Sequence, residues 1–208
     1  HPCTICSPRN SGKSKMALYW IHALSGTYDF LLIFSNPSAL TQYRYLETDK
    51  TVKLYDHLDS EKIAECFRIN EARIQKNQKP INFLLVFDDS LERNNKYSEQ
   101  LNRCFMWGRI NKICPLVLQQ NIKMVNPTIR NNSDYFICFR VRTESEKNYV
   151  YENLLNAVCQ NKKEAYGVIN NLEPYQAIVA SWIDGKTNVV LFTAPLIKKC
   201  TCGCANCK

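Results

Sequence analysis

One short segment near the start of the chain constrains the fold more than any other. Residues 7–14 match the pattern G-x-x-x-x-G-K-[ST] at every fixed position except the first, where Ser7 stands in place of glycine. In that pattern, a tight loop and the helix that follows it surround phosphate groups with backbone N–H groups. Lys13 would reach the β- and γ-phosphates, and the Ser14 hydroxyl would ligate Mg²⁺. The chain is therefore predicted to bind a nucleoside triphosphate and to hydrolyse it.

The flanking sequence supports this interpretation. Residues 3–6 are fit to end a buried strand, and apolar residues recur at helical spacing over 16–24, so strand, loop and helix follow in the required order. Because only glycine tolerates a positive φ without strain, Ser7 leaves open how closely the backbone approaches the phosphates. The predicted nucleotide-binding residues are Ser7, Pro8, Arg9, Asn10, Ser11, Gly12, Lys13, Ser14 and Lys15.

The remaining apolar runs predict an α/β fold. Strands are predicted at 30–34, 81–87, 114–118 and 135–141, and helices from residue 60, over 97–109, over 144–157 and near 163–171. The pair Asp184-Gly185 between 177–183 and 189–193 indicates a β-hairpin. Alternating strands and helices give a mostly parallel sheet with an antiparallel hairpin at one edge. The segment 39–59 has no clear period and receives no assignment.

Polar side chains follow two of the predicted strands. Asp88 and Asp89 end the run at 81–87, about 75 residues after the phosphate loop, and Gln119 and Gln120 end the run at 114–118. Parallel sheets bind ligands at the carboxyl ends of their strands, so Asp88 is placed to hold Mg²⁺ and Asp89 to orient or deprotonate a water molecule. A glutamine there would sense the γ-phosphate. Solvated aspartates and a loop glutamine without a role are the alternatives, and spacing does not choose between the two glutamines.

Composition limits the remaining possibilities. The 208 residues suffice for one domain over 1–197, followed by a tail over 198–208, and no apolar run is long enough to span a bilayer. The net charge of +8 favours a polyanionic partner, although a merely basic surface is the alternative. The chain begins with His1 rather than Met, which indicates a fragment.

The 11 cysteines separate into two groups. Most lie in apolar segments, where free cysteine acts as a small hydrophobe, and the odd count indicates a reducing intracellular compartment. The tail instead concentrates four thiols, enough for tetrahedral Zn²⁺, but the spacing is tighter than in ordinary zinc sites. A flexible basic tail is therefore the favoured interpretation. The four candidate zinc ligands are Cys200, Cys202, Cys204 and Cys207.

One block of sequence is far more specific than the phosphate loop. Residues 114–120, followed by Pro-x-Ile-Arg-x-Asn at 127–132 and a further strand, resemble the genome-packaging ATPases of poxviruses and other large DNA viruses. Gly108-Arg109 adds to the resemblance, which runs from the phosphate loop to the final hairpin. These proteins belong to the FtsK–HerA superfamily of DNA-pumping motors, so the resemblance implies a P-loop NTPase fold of the RecA/FtsK-like type.

The resemblance also implies roles for individual residues. Lys13 and Ser14 correspond to the Walker A pair, Asp88 and Asp89 to the Walker B pair, and Gln120, rather than Gln119, to the sensor. Arg109 and Arg130 match two arginine positions, either of which would be the finger that a neighbouring subunit inserts at the γ-phosphate. A surface or structural ion pair is the alternative for each arginine.

The predicted function is that of an ATP-hydrolysing, magnesium-dependent motor subunit that packages viral double-stranded DNA into a capsid. The resemblance implies a ring of five or six subunits that docks on capsid or portal-vertex proteins, in the cytoplasm of the infected host or in the virion. Two alternatives stay open at this point. One is a nucleotide-binding switch or structural protein without useful turnover, and the other is a small-molecule P-loop kinase.

Overall fold

A single eight-stranded sheet organises the part of the chain that the computed structural model describes, residues 1–8, 11–91, 98–183 and 185–193. The strand order is β3-β2-β4-β5-β1-β6-β7-β8, and the pairs from β3 to β6 are parallel. Strands β7 and β8 add an antiparallel hairpin at one edge. The strands are β1 (Cys3–Cys6), β2 (Phe30–Ser35), β3 (Val52–Tyr55), β4 (Phe83–Asp88), β5 (Ile113–Gln119), β6 (Tyr135–Phe139), β7 (Gln176–Ile183) and β8 (Lys186–Thr193).

Helices cover both faces of the parallel strands, which explains why the strands read as continuous apolar runs rather than alternating ones. All six residues of β4 are buried, and five of the six residues of β2 are buried. The α-helices are α1 (Lys13–Ala23), α2 (Pro37–Leu40), α3 (Ser60–Gln75), α4 (Glu99–Trp107), α5 (Pro127–Asn131), α6 (Glu144–Val150) and α7 (Lys162–Asn170).

The sheet divides the core into two apolar clusters. One cluster contains Met16 and Ile21 of α1 together with Tyr43, all less than 2 % exposed. The other contains Phe67 of α3, Phe105 of α4 and residues of α5, α6 and α7. The helix of the phosphate-loop motif therefore packs on one face of the sheet, and most of the later helices pack on the other.

The fold confirms the predicted α/β class, with a parallel sheet and a hairpin at its edge. Several boundaries differ from the prediction. The predicted helix over 97–109 is α4, which spans only Glu99–Trp107, and the predicted helix over 144–157 ends as α6 at Val150 and continues as a π-helical turn over Tyr151–Leu155. At the hairpin turn Gly185 has φ 72°, whereas Asp184 lies outside the described residues.

The segment 39–59 has more structure than its sequence pattern indicates. After α2, a 3₁₀-helix covers Arg44–Thr48, and Val52–Tyr55 forms the edge strand β3 in parallel register with β2. Asn36 caps α2 by accepting a hydrogen bond from the Ala39 backbone N–H, and Pro37 occupies the first turn. The elements are too short for a periodic signal to develop.

Seven cysteines lie within the described ranges, all of them free thiols. Six are buried and Cys114 is half-buried, as predicted for small hydrophobic residues. Burial raises the pKa of the Cys66 thiol to about 12. The tail over 198–208 lies outside the described residues, so the division into two parts and the zinc site stay predictions. Within the described ranges, no helix is long and apolar enough to cross a membrane.

Two glycines provide a test of packing at the end of α4. A Cβ added to Gly108 would collide with the backbone carbonyl oxygens of Cys104 and Ile113, whereas one added to Gly167 in α7 would meet nothing within 4 Å. We expect Gly108→Ala to lower the free energy of unfolding by about 1–3 kcal/mol in urea denaturation, because backbone atoms must move. Gly167→Ala is the control. It should leave the free energy of unfolding unchanged or raise it by up to about 1 kcal/mol, because alanine favours the helix more than glycine does. Equal stability of Gly108→Ala and the parent protein would contradict this packing.

Candidate functional site

The phosphate loop joins β1 to α1 at the carboxyl end of the sheet. Its first residue, Ser7, is fully buried, and the Ser7 backbone N–H donates to the carbonyl oxygen of Gln119 at 3.0 Å. Later in the loop, the Ser11 hydroxyl donates to the carbonyl oxygen of Pro8 at 2.6 Å. The loop is thus tied to the end of β5. Arg9 and Asn10 lie outside the described residues.

Position 12 requires glycine for two reasons, its backbone conformation and the lack of space for a side chain. Its φ of 111° lies in the left-handed region, and an added Cβ would lie 2.9 Å from Tyr175 Cδ1 and 3.1 Å from Phe139 Cε1. A side chain at this position would be strained and would collide with two rings. Lys15, in the first turn of α1, lies over the Tyr175 ring with its ammonium nitrogen 4.1 Å from the ring centroid. Tyr175 therefore contacts the phosphate loop at the same end of the sheet, although it is far from the loop in sequence.

Lys13 begins α1 and lies between the two predicted acidic residues. Its Nζ atom is 2.5 Å from Asp89 Oδ1 and 3.8 Å from Asp88 Oδ1. The Lys13 side chain is only 7 % exposed, so this ion pair is largely shielded from water. The structure therefore brings together the two sequence segments that were predicted to form one site.

The two carboxylates differ sharply in exposure. The Asp88 side chain is 1 % exposed and that of Asp89 is 17 % exposed. Burial raises the pKa of Asp88 to about 6, against a lowering effect of the nearby Lys13 ammonium. Asp89, which has a left-handed φ of 48°, follows the last residue of β4 and faces the cleft. The strand end thus presents one buried carboxylate and one accessible carboxylate.

Two residues from the unassigned segment hold Asp88. The Tyr43 hydroxyl donates to Asp88 Oδ2 at 2.8 Å, and the Gln42 side-chain amide donates to the same oxygen at 3.0 Å. Tyr43 is fully buried, and its pKa is raised well above the usual range by burial and by the neighbouring carboxylate. No periodic pattern predicted these contacts. The nearby Asn36-Pro37 pair is typical of a helix start, so it predicts a helix after β2. It does not predict which residues of that segment contact Asp88.

The two glutamines at the end of β5 have different surroundings. The Gln120 amide donates to Asp89 Oδ2 at 2.7 Å and lies in the cleft. Gln119 is 6 % exposed, and its amide donates to the Leu91 carbonyl oxygen at 3.4 Å. Of the two positions that spacing left open, the structure therefore brings Gln120 to the acidic residues and leaves Gln119 in the core.

These groups surround a cleft of about 550 Å³ at the carboxyl ends of the strands. A second hollow of about 570 Å³ shares Pro8 and Tyr175 with the first cleft, and it carries Arg140, Arg142 and Lys147. The residues that line the first cleft are Pro8, Gly12, Lys13, Ser14, Lys15, Gln42, Asp89, Gln120 and Tyr175. A basic loop, a helix N-terminus and an adjoining basic hollow form a site suited to a polyphosphate with a bulky substituent.

The site also fits a divalent cation. Asp88 Oδ1 is buried and accepts no hydrogen bond from the described residues. A buried carboxylate oxygen without a donor and a serine hydroxyl on the first turn of α1 are ligands that Mg²⁺ prefers. Within the described ranges, no group of three or more His, Cys, Asp or Glu side chains is arranged to hold a metal ion.

The two predicted arginines do not line this cleft. Arg109 precedes β5 and forms an ion pair with Asp134 at 2.6 Å, at the amino ends of the strands. Arg130, near the end of α5, donates to the Tyr149 hydroxyl at 2.5 Å. Within one subunit, both arginines therefore have partners away from the phosphate loop.

Comparison with known proteins adds a family and a fold. The sequence family described as the poxvirus A32 protein matches residues 4–176. Among curated proteins, no match is found. The genome packaging NTPase B204 of Sulfolobus turreted icosahedral virus 2, solved with AMPPCP, has a TM-score of 0.65 and 14 % identity, over 90 % of this chain and 95 % of that one. The type VII secretion ATPase EccC of Thermomonospora curvata has a TM-score of 0.59 and 16 % identity, over 93 % of this chain and 25 % of that one.

The raised pKa of Asp88 predicts an unusual pH dependence of stability. Because the folded-state pKa of about 6 exceeds the ordinary value of 3.8, the folded protein binds more protons between these values, and Asp88 lowers the free energy of unfolding as pH rises through this window. The contribution is on the order of 2–3 kcal/mol.

We expect Asp88→Asn, without metal or nucleotide, to be more stable than the parent protein at pH 7.5 and to lose this advantage at pH 4. Urea denaturation at both pH values measures the difference. Glu47→Gln, an exposed site with the same change in charge, is the control and should show no such difference. An equal stability difference at both pH values would contradict the assignment.

Proposed function

Because the chain belongs to the family of the poxvirus A32 protein, we propose that it is an ATPase that drives the packaging of viral double-stranded DNA into a capsid. The family match confirms the resemblance predicted from the sequence, and the fold is the one predicted with it. The observation that carries the proposal is the convergence of Lys13, Asp88, Asp89 and Gln120 at one cleft.

The bound triphosphate would lie in the cleft beneath the N-terminus of α1. The backbone N–H groups of the loop and the Lys13 ammonium group would hold its phosphate oxygens. The adjoining hollow would accommodate the ribose and base, where Arg140 and Arg142 are exposed and Tyr175 forms the boundary. B204, which has the same fold, was solved in complex with AMPPCP and with ATP-γS, and this supports nucleotide binding by the present chain.

The division between the two carboxylates suggests their roles. Asp88 is shielded from water and, with the Ser14 hydroxyl, would hold Mg²⁺, which supplies charge neutralisation at the β- and γ-phosphate oxygens when bound. Asp89 is accessible from the cleft and would orient the attacking water and accept its proton. Gln120 donates to Asp89, so a change at the γ-phosphate would reach the end of β5 through a single hydrogen bond.

The arginines fit a role between subunits better than one within a subunit. Arg109 is 70 % exposed at its side chain, and its ion pair with Asp134 is accessible to solvent, so exchange for a phosphate partner would cost little. Arg130 is less available because its guanidinium group contacts Tyr149. We therefore favour Arg109 as the finger in a ring of five or six subunits.

The proposed partner of the ring is double-stranded DNA held through its phosphates. The net charge of +8 supports contact with a polyanion, and such binding would be strongly salt-dependent and tolerant of sequence. Capsid or portal-vertex proteins would anchor the ring during assembly in the cytoplasm of the infected cell.

Release of phosphate over many turnovers, with and without double-stranded DNA, tests the proposal. We expect hydrolysis that DNA stimulates, with the stimulation weakening as salt increases. Lys13→Ala should reduce hydrolysis by about 100-fold or more, because the developing charge on the phosphates loses its cation. Lys50→Ala removes an exposed lysine outside the cleft and should retain hydrolysis in the absence of DNA. Hydrolysis that no DNA affects would contradict the motor function, and binding without turnover would favour a switch.

Mixed rings test the origin of the arginine. Arg109→Ala subunits and Lys13→Ala subunits should each be nearly inactive alone, and a mixture of the two should recover part of the activity, because some interfaces then contain both an intact loop and an intact arginine. Arg130→Ala mixed with Lys13→Ala provides the comparison, and Arg68→Ala, an exposed arginine on α3, is the control for loss of charge. Absence of recovery in every mixture would overturn a finger acting between subunits.

A further inference from the structure

The chain between β2 and β3 contacts the predicted metal site through two consecutive residues outside the phosphate-loop motif. Gln42 and Tyr43 both donate a hydrogen bond to Asp88, at 3.0 Å and 2.8 Å. Tyr43 is fully buried in the cluster that contains α1, whereas the half-buried Gln42 lines the cleft itself. One of the two contacts is therefore part of the core, and the other borders the space that the triphosphate would occupy.

Both donors reach the same carboxylate oxygen, which makes the two oxygens of Asp88 unequal. Oδ2 accepts both hydrogen bonds, while Oδ1 is buried, accepts none from the described residues and has the Lys13 Nζ atom at 3.8 Å. The torsion that rotates a carboxylate group is soft, so without donors the two oxygens would exchange places readily. Two donors on one oxygen fix the rotation and leave the other oxygen free to bind a cation.

The donors are themselves held in place by local structure. Asn36 caps α2, and the Tyr43 backbone N–H donates to the Leu40 carbonyl oxygen at 2.8 Å, which continues the turn beyond the helix. From the strand side, the Ser35 hydroxyl donates to the Asp88 carbonyl oxygen at 2.9 Å. Because the backbone and the side chain of Asp88 are both bound by residues 35–43, the position of this carboxylate depends on that segment as well as on β4.

We propose that Gln42 and Tyr43 are positioning residues that orient the Asp88 carboxylate so that Oδ1 is the oxygen available to the divalent cation of the bound nucleotide. This inference rests on the proposed function, in which Asp88 serves that cation. Residues that orient metal ligands through hydrogen bonds typically change metal affinity by about 10- to 100-fold when they are replaced.

The test measures metal binding directly rather than through hydrolysis. Mn²⁺, whose free concentration is read from its electron paramagnetic resonance signal, is titrated into protein that carries a slowly hydrolysed ATP analogue. We expect Tyr43→Phe and Gln42→Ala each to weaken Mn²⁺ binding by about tenfold or more. Tyr43→Phe retains the buried ring and loses only the hydroxyl. For Tyr43→Phe, whose buried side chain does not line the cleft, the affinity for a fluorescent ATP analogue in the presence of EDTA should change by less than about twofold.

Tyr45→Phe is the matched control, because the Tyr45 hydroxyl contacts the ring of His22 at 2.9 Å and no carboxylate among the described residues. It should change neither Mn²⁺ nor nucleotide affinity. If Tyr43→Phe does not fold, Gln42→Ala, at a half-buried side chain, carries the test. Folded variants that bind Mn²⁺ as tightly as the parent protein would overturn the positioning role alone. A parent protein that binds the analogue with no Mn²⁺ in the complex would overturn the proposed function and this inference together.

Discussion

The ion pairing of a single buried lysine with two adjacent carboxylates is the interaction on which the site depends. Lys13 Nζ lies within 4 Å of both Asp88 and Asp89, and both the lysine and Asp88 are almost completely removed from water. Burial of charge is costly, and one ammonium group does not neutralise two carboxylates, so the pKa of Asp88 is raised to about 6. The same excess of negative charge is what a divalent cation would neutralise. The electrostatics of the free protein and its proposed chemistry thus have one origin.

The order of the strands determines which groups can join this cluster. The central strand β1 lies between β5 and β6, with β4 beyond β5. The phosphate loop, the two aspartates and Gln120 therefore all follow the carboxyl ends of neighbouring parallel strands. Tyr175, just before the hairpin strand β7, packs against Gly12 at the same end of the sheet. Serine at the first position of the loop is accommodated because Ser7 does not have a positive φ and its backbone extends the pairing with β5.

The relation to known proteins is one of fold and family, with little identity in sequence. The family match ends at residue 176, where β7 begins, so every predicted site residue apart from the cysteine tail lies inside the matched region and the hairpin lies beyond it. At 14 % identity, the fold of B204 is retained over 90 % of this chain. The likeness to B204 is therefore one of fold.

The sequence alone determined those features that local patterns encode. The phosphate loop, the buried strands, the aspartate pair and the hairpin follow from motif spacing and from apolar runs, because each depends on residues close together in the chain. The tertiary structure decided the rest: that Gln120 rather than Gln119 reaches Asp89, that Arg109 pairs with Asp134, and that residues 42 and 43 hold Asp88. These contacts join segments 25 to 46 residues apart through single hydrogen bonds or ion pairs. Hydrophobic periodicity does not predict such contacts. Each of them is created by the packing of strands and loops whose order along the sheet differs from their order in the chain.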